Sequence, residues 1–156
     1  MHPNTERVAA VLHGGDVSFE IREFAESTRT AADAATALGV PVGAIVKSLV
    51  FVADGDPVLV LASGDHQVDT ARVAQVLGVE KVGRADADVV RAATGFAIGG
   101  VPPVAHASRL RMLIDLHLST YDVLWAAAGT PNTVFSTSYA DLARITGATP
   151  AEVAAR

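Results

Sequence analysis

Two apolar runs, Ile45 to Ala53 and Val58 to Ala62, flank Asp54-Gly55-Asp56-Pro57, and no other stretch of the chain limits the fold as much. Residues of this kind between two β-branched runs make the turn of an antiparallel hairpin. A uniformly parallel, doubly wound sheet is therefore disfavoured, because parallel neighbours need a long crossover between them. Around the hairpin, helical signals alternate with strand signals. Helices are expected from Thr5 to Leu12, from Ala31 to Leu38 behind a Thr30 cap, from Asp69 or Thr70 to Leu77, from Asp86 to Thr94 and from Ser138 to Thr146. Gly14, Gly39, Gly78 and Gly95 close the first four. Further strands are expected at Val17 to Arg22, Arg111 to Asp115, Val123 to Ala128 and Thr133 to Phe135. The tail Thr149-Pro150-Ala151-Glu152 has the form of a capping box and predicts a short helix. The fold class expected is α/β (α+β): a mixed, mostly antiparallel, barrel-like sheet surrounded by helices.

One residue in the hairpin is out of character. Lys47 interrupts Ala44-Ile45-Val46-Lys47-Ser48-Leu49-Val50-Phe51-Val52, and the chain holds only two lysines, Lys47 and Lys81, against ten arginines. Strand alternation puts Ile45, Lys47, Leu49 and Phe51 on one face and Val46, Ser48, Val50 and Val52 on the other. An ammonium among such neighbours needs an anionic partner, whether a ligand, a structural carboxylate or water reached from a sheet edge.

At 156 residues the chain is long enough to bury roughly two thirds of its unfolded surface, and one domain spanning 1–156 is expected. Cysteine is absent, which excludes disulfides, thiolate metal sites and cysteine nucleophiles. No apolar run reaches the ~20 residues of a membrane span, and Met1 to Arg7 lacks the pattern of a secretory signal, so a cytoplasmic protein away from membranes is expected. A formal charge of −5 argues against DNA and against broad attraction to nucleic acid. An RNA partner would be gripped at one end.

Three segments could carry chemistry. In Ile98-Gly99-Gly100-Val101-Pro102-Pro103, the amides of Gly99, Gly100 and Val101 could hold a carbonyl oxygen gaining charge, or the segment could be only a tight turn. Ala126-Ala127-Ala128-Gly129-Thr130-Pro131-Asn132 ends a strand with small side chains, giving either a floor for a small substrate or close strand packing. Ser63-Gly64-Asp65-His66-Gln67-Val68-Asp69 has its Ser, His and Asp too close in sequence for a nucleophile triad, and Asp65, His66 and Asp69 match no metal-ligand spacing. No metal is expected.

Taken in order, these segments resemble the YbaK/aminoacyl-tRNA-synthetase-associated domain family, which also supplies the inserted editing domain of bacterial prolyl-tRNA synthetases. The resemblance runs from Phe19 to Gly147 through Ser27-Thr28-Arg29-Thr30-Ala31, the Lys47 strand, Ser63-Gly64-Asp65, Ala85-Asp86, Thr94 to Pro103 and Ala127 to Pro131. It implies an aminoacyl-tRNA deacylase that edits mischarged tRNA in trans, with tRNA-Pro carrying a small wrong amino acid as the expected substrate. A module that binds aminoacyl-tRNA or a nucleotide without catalysis is the alternative. Lys47 falls on the family's functional lysine, and Gly99 to Pro103 on its Gly-x-x-x-Pro loop. Lys47 is then expected to hold a phosphate or other oxygen of the terminal adenosine while the amides of Gly99, Gly100 and Val101 face the ester carbonyl, these four being catalytic, and Phe24, Thr28, Ser63, Asp65, Pro103, Ala128, Gly129, Thr130 and Asn132 bind substrate. Its partners would be the 3′ aminoacyl end of tRNA and prolyl-tRNA synthetase, with no cofactor. Two departures stand out: many relatives have His where Asn132 stands, and some have Tyr near Phe24. An asparagine cannot act as a general base at neutral pH.

Overall fold

The computed structural model describes residues 1–26, 28 and 30–155. Five α-helices and eight strands follow in the order α1 (Pro3–Gly14), β1 (Ile21–Glu23), α2 (Ala31–Leu38), β2 (Ile45–Ala53), β3 (Asp56–Ser63), α3 (Thr70–Leu77), β4 (Val82–Arg84), α4 (Ala87–Thr94), β5 (Arg111–Asp115), β6 (Leu124–Ala127), β7 (Thr133–Thr137), α5 (Tyr139–Thr146) and β8 (Thr149–Ala151). The helix starts follow the sequence: the side chains of Thr30, Asp69, Asp86 and Ser138 each accept a backbone N–H of the first turn. Glycines in the left-handed conformation close α2, α3, α4 and α5. Among the described residues no helix is long and apolar enough to cross a membrane.

The strands form one mixed sheet in the order β1-β7-β6-β2-β3-β5-β8. Four pairings are antiparallel and three parallel, an open ladder whose end strands do not pair among the described residues. The hairpin is as expected, with Val46 opposite Ser63 and Ala53 opposite Asp56. The free edge of β2 is divided: Ile45 and Val46 run parallel to β6, while Phe51 to Ala53 pair with β4.

Alternation along β3 sends Leu59 and Leu61 into the main core with Val8, Leu12, Phe96, Val101, Ala128 and Leu142. Val58, Val60 and Ala62 face the opposite side, under Val73 and Leu77 of α3. A third cluster seats α2 on Ile45, Trp125 and Val134. Burying each of these large side chains contributes about 1.5–3 kcal/mol.

Two expectations fail. The tail is strand β8, not a helix, running parallel to β5 with Ala151 opposite Asp115. Its capping box is overridden because Ala151 and Val153 fill the core beneath α3, and Pro150 is tolerated on a strand that ends the sheet. The strand foreseen at Val17 to Arg22 shrinks to Ile21–Glu23. Val17 instead enters the core after a turn with Asp16 at φ 56°.

Candidate active site

Because β3 and β5 are parallel and in register from Val58–Arg111 to Leu61–Ile114, both strands end at the same edge of the sheet. The chain leaving β3 carries Ser63, Asp65 and His66; that leaving β5 carries Asp115 and His117. Asp115, 2% exposed, is the hub. Its Oδ2 accepts the Ser63 N–H at 3.0 Å and lies 2.8 Å from His66 Nδ1, while Oδ1 accepts the His117 N–H at 3.0 Å. The Ser63 hydroxyl is 2.7 Å from both Gly43 O and Asp65 Oδ1. Asp65 Oδ2 stands 3.5 Å from His117 Nε2, which is 3.3 Å from the Tyr121 hydroxyl. That hydroxyl occupies the space a Cβ on Gly43 would need.

Lys47 joins this network from β2, donating from Nζ to the His66 carbonyl. Burial pulls its ammonium below the usual lysine value, and the charges of Asp65 and Asp115 oppose that shift. Burial pushes the Asp65 carboxyl up, but the Ser63 hydrogen bond and the neighbouring His117 and His66 outweigh it and leave the group below its ordinary value. Tyr121 is raised by burial and then by Asp65, and Tyr139 by burial and then by Asp115.

Asp65, His66 and His117 bring one donor atom each within 4.8 Å of one another. The two imidazoles, however, are stacked with centroids 4.4 Å apart and planes 24° apart. His66 Nδ1 is engaged by Asp115, and His117 Nε2 lies between Asp65 and the Tyr121 hydroxyl, so all three groups already take part in one hydrogen-bonded network. Asp69 is spent capping α3.

The second group surrounds a cavity of about 690 Å³ bordered by the start of α1, by Ile21, Glu23, Arg91, Gly95, Phe96, Ala97 and Gly100, and by Gly129 to Thr133. Gly99, at φ 95°, sits at the third position of a turn closed by Gly100 N–H to Ala97 O at 3.1 Å. A Cβ on Gly100 would come within 3.1 Å of the Thr130 backbone, so the two glycine loops touch. Val101, Pro103 and Ala128 are buried behind the wall, and His106 Nε2 lies 2.7 Å from Pro102 O, pinning the loop from below. Asn132 is fully engaged: Nδ2 donates to Phe24 O at 3.1 Å, Oδ1 lies 3.0 Å from Thr130 Oγ1, and its carbonyl accepts the Phe24 N–H at 2.8 Å. Thr28 N–H donates to Pro131 O at 3.1 Å, so both Phe24 and Thr28 brace this loop. Ser27 and Arg29, quoted with Thr28 in the resemblance, lie outside the described residues.

Lys47 does not border that cavity. The pleat explains it: Val46 and Val50 pack in the core with Val101 and Ala128, whereas Lys47 leaves the opposite face of β2 with Leu49 and Phe51. The expected row of three amides is also reduced, because the turn uses the Gly100 N–H and only Gly99 and Val101 keep N–H groups without a protein acceptor among the described residues.

The sequence model of the aminoacyl-tRNA editing domain matches residues 25–145. The chain belongs to that family. Within it, the proline–tRNA ligase of Citrifermentans bemidjiense is 40% identical over 86 residues, 55% of this chain but only 15% of the ligase. The chain thus spans a small part of the curated ligases it matches. The uncharacterized protein YwhH of Bacillus subtilis is 33% identical over 114 residues, 72% of each chain. A crystal structure presented as a candidate trans-editing enzyme for prolyl tRNA synthetase superposes with a TM-score of 0.93 at 39% identity, covering 100% of this chain and 99% of that one.

Several residues of this editing domain escaped the sequence reading. Asp115 and His117 were visible as a charged end to the apolar strand Met112-Leu113-Ile114, the strand end where sites on parallel strands gather, yet nothing local tied them to His66. Asn4 and Thr5 of α1 clamp the second loop, with Thr5 Oγ1 donating to Ala128 O at 2.8 Å and Asn4 Nδ2 to Gly129 O at 3.1 Å. Glu23 and Arg91 supply charge to the cavity wall.

Proposed function

We propose that this editing domain hydrolyses the ester linking a wrong amino acid to tRNA, acting in trans on tRNA-Pro that carries a small amino acid. The observation that carries the reading is the half-buried Lys47 ammonium, influenced by the charges of Asp65 and Asp115 and bonded to the His66 carbonyl where β3 and β5 end together. A cation there can hold the ester oxygen as it gains charge, the interaction most acyl transfers rely on. The cavity beside the glycine loops lies across β2 from Lys47 and is of a size to receive a nucleotide of the acceptor end other than the one that carries the ester. Gly100, Gly129, Thr130 and Asn132 form its wall; Phe24, Thr28, Gly99, Val101, Pro103 and Ala128 set the position of that wall. Ser63 and Asp65 hold the network around Lys47.

An aminoacyl ester is already activated, so positioning water or the neighbouring ribose hydroxyl suffices without a protein nucleophile. We place the domain, spanning 1–156, in the cytoplasm with prolyl-tRNA synthetase as a partner. A second reading, a binding module without catalysis, draws on Asn132, whose side chain is committed to Phe24 and Thr130 and offers no base. Incubation with tRNA-Pro carrying alanine, cysteine or proline separates the two: the deacylase releases free amino acid and the binding module only retains the tRNA. Lys47→Ala is expected to slow release by about two orders of magnitude. Full activity in a folded Lys47→Ala protein would sink the assignment.

A further inference from the structure

Deacylation requires a proton to leave the attacking water and a proton to reach the departing ribose oxygen, and Asn132 can do neither. We infer that His66 is the proton-transfer residue of this domain and that Asp115 is the residue that positions it. The inference rests on the deacylase reading and adds to it the group that moves the proton.

Four observations support it. Asp115 is almost wholly buried and already accepts the Ser63 and His117 backbone N–H groups, so its carboxylate is fixed before any substrate arrives. His66 Nδ1 lies 2.8 Å from that carboxylate, which fixes the proton on Nδ1 and leaves Nε2 as the acceptor. The imidazole is held on its face by His117 at 4.4 Å, and its side chain is 26% exposed, enough for a substrate to reach. Lys47, which donates to the His66 backbone carbonyl, stands within one residue of the same ring. A proton acceptor and a cation thus belong to one hydrogen-bond network, both joined through His66.

In the step proposed, the oxygen of a water bonds the ester carbonyl carbon while its proton passes to His66 Nε2, and the carbonyl electron pair moves to the oxygen facing Lys47. Collapse of the tetrahedral species breaks the bond from carbon to the ribose oxygen. The imidazolium then returns its proton to that oxygen, giving free amino acid and tRNA with an intact terminal ribose. No other reactant is consumed.

Asp115 and His117 face the His66 ring and Lys47 bonds its backbone carbonyl, with Asp65, Tyr121 and Tyr139 behind them. The test measures release of alanine from alanyl-tRNA-Pro by wild-type protein, His66→Ala and His66→Gln, each checked for folding by its thermal transition. Wild-type turnover is expected to fall as pH drops below neutrality, with both variants slowed about 100-fold or more and lacking that acid limb. Free imidazole should restore part of the activity to His66→Ala and none to His66→Gln, whose side chain fills the space. Asp115→Asn, which removes the carboxylate and sets an amide N–H against the backbone N–H of Ser63 or His117, should loosen the hold on His66 and lower turnover with little change in the concentration giving half-maximal rate. Turnover within threefold of wild type in folded His66→Ala overturns the inference and leaves the deacylase reading standing. A loss that imidazole does not rescue and that keeps the acid limb overturns it as well, reducing His66 to a structural part. A wild-type protein that clears no mischarged tRNA overturns both.

Discussion

Replacing Gly129 with alanine should unseat the helix that closes the cavity. Gly129 has φ 95°, and a Cβ there would lie 2.9 Å from Asn4 Cβ and 3.0 Å from the Asn4 backbone carbon and oxygen. The left-handed backbone alone costs an alanine about 1–2 kcal/mol. Relief of the overlap requires the first turn of α1 to withdraw, which breaks the buried bond from Thr5 Oγ1 to Ala128 O and leaves both groups unpaired at about 1–3 kcal/mol. The total, about 2–5 kcal/mol, is a large share of the 5–15 kcal/mol that holds a domain together. At roughly 2–4 °C per kcal/mol for a chain of this size, the melting temperature should drop by about 10 °C. Gly39→Ala is the control, because Gly39 is also left-handed, at φ 70°, yet a Cβ there meets nothing within 4 Å. It should lose only the backbone part, about 2–8 °C. Thermal unfolding followed by circular dichroism compares them directly. If the two variants melt within about 2 °C of each other, the contact between α1 and the loop does not carry the energy argued for it.

Lys47→Met should be at least as stable as wild type at pH 7, since burial outweighs the two carboxylates in its effect on the ammonium. The sign follows from proton binding: the folded state holds the Lys47 proton less tightly than the unfolded chain, so wild-type stability should rise as pH climbs toward 10.5. Above 10.0 the raised Tyr121 and Tyr139 act oppositely, because the folded state then resists their ionisation. Urea midpoints at pH 7 and 9.5 should therefore rise in wild type and stay level in Lys47→Met; an equal rise in both removes Lys47 as the source. His106 is lowered by burial, against the opposing effect of its bond to Pro102 O, so the unfolded chain takes up the proton first and stability falls as pH drops below 6.5. His106→Ala should abolish that dependence and speed hydrogen exchange at Gly100, whose N–H closes the turn onto Ala97 O, and unchanged exchange there would show that His106 does not pin the loop.

What could be read from the sequence was local. The hairpin, the caps at Thr30, Asp69, Asp86 and Ser138, and the contact-prone glycines of both loops each announce themselves within a few residues, because turn and cap geometry depend on near neighbours. The tail shows the converse. Thr149-Pro150-Ala151-Glu152 carries a genuine helix-start pattern, and only the burial of Ala151 and Val153 beneath α3, a contact with distant sequence, turns it into strand β8. Lys47 was recognisable as a misplaced charge, but its partners were not. Asp65 is 18 residues on along the chain and Asp115 is 68 on, and the pairing of β3 with β5 that unites them leaves no mark in either strand.

That pairing is also what makes the site chemically asymmetric. Had β5 run antiparallel to β3, Asp115 would have ended at the Val58 end of the sheet, away from Ser63 and His66. In parallel register the buried carboxylate receives two backbone N–H groups and a ring nitrogen at once. It is therefore fixed in place by these bonds and, in the mechanism proposed above, would orient the imidazole that takes up the proton. Lys47 enters from the adjacent strand beside this anion, half-buried and disfavoured as a cation by its surroundings. An oxyanion arriving beside it would offset that desolvation, whereas a neutral substrate would not. The site should accordingly bind the charged transition state better than the ester, a difference that appears in the rate rather than in the affinity for aminoacyl-tRNA.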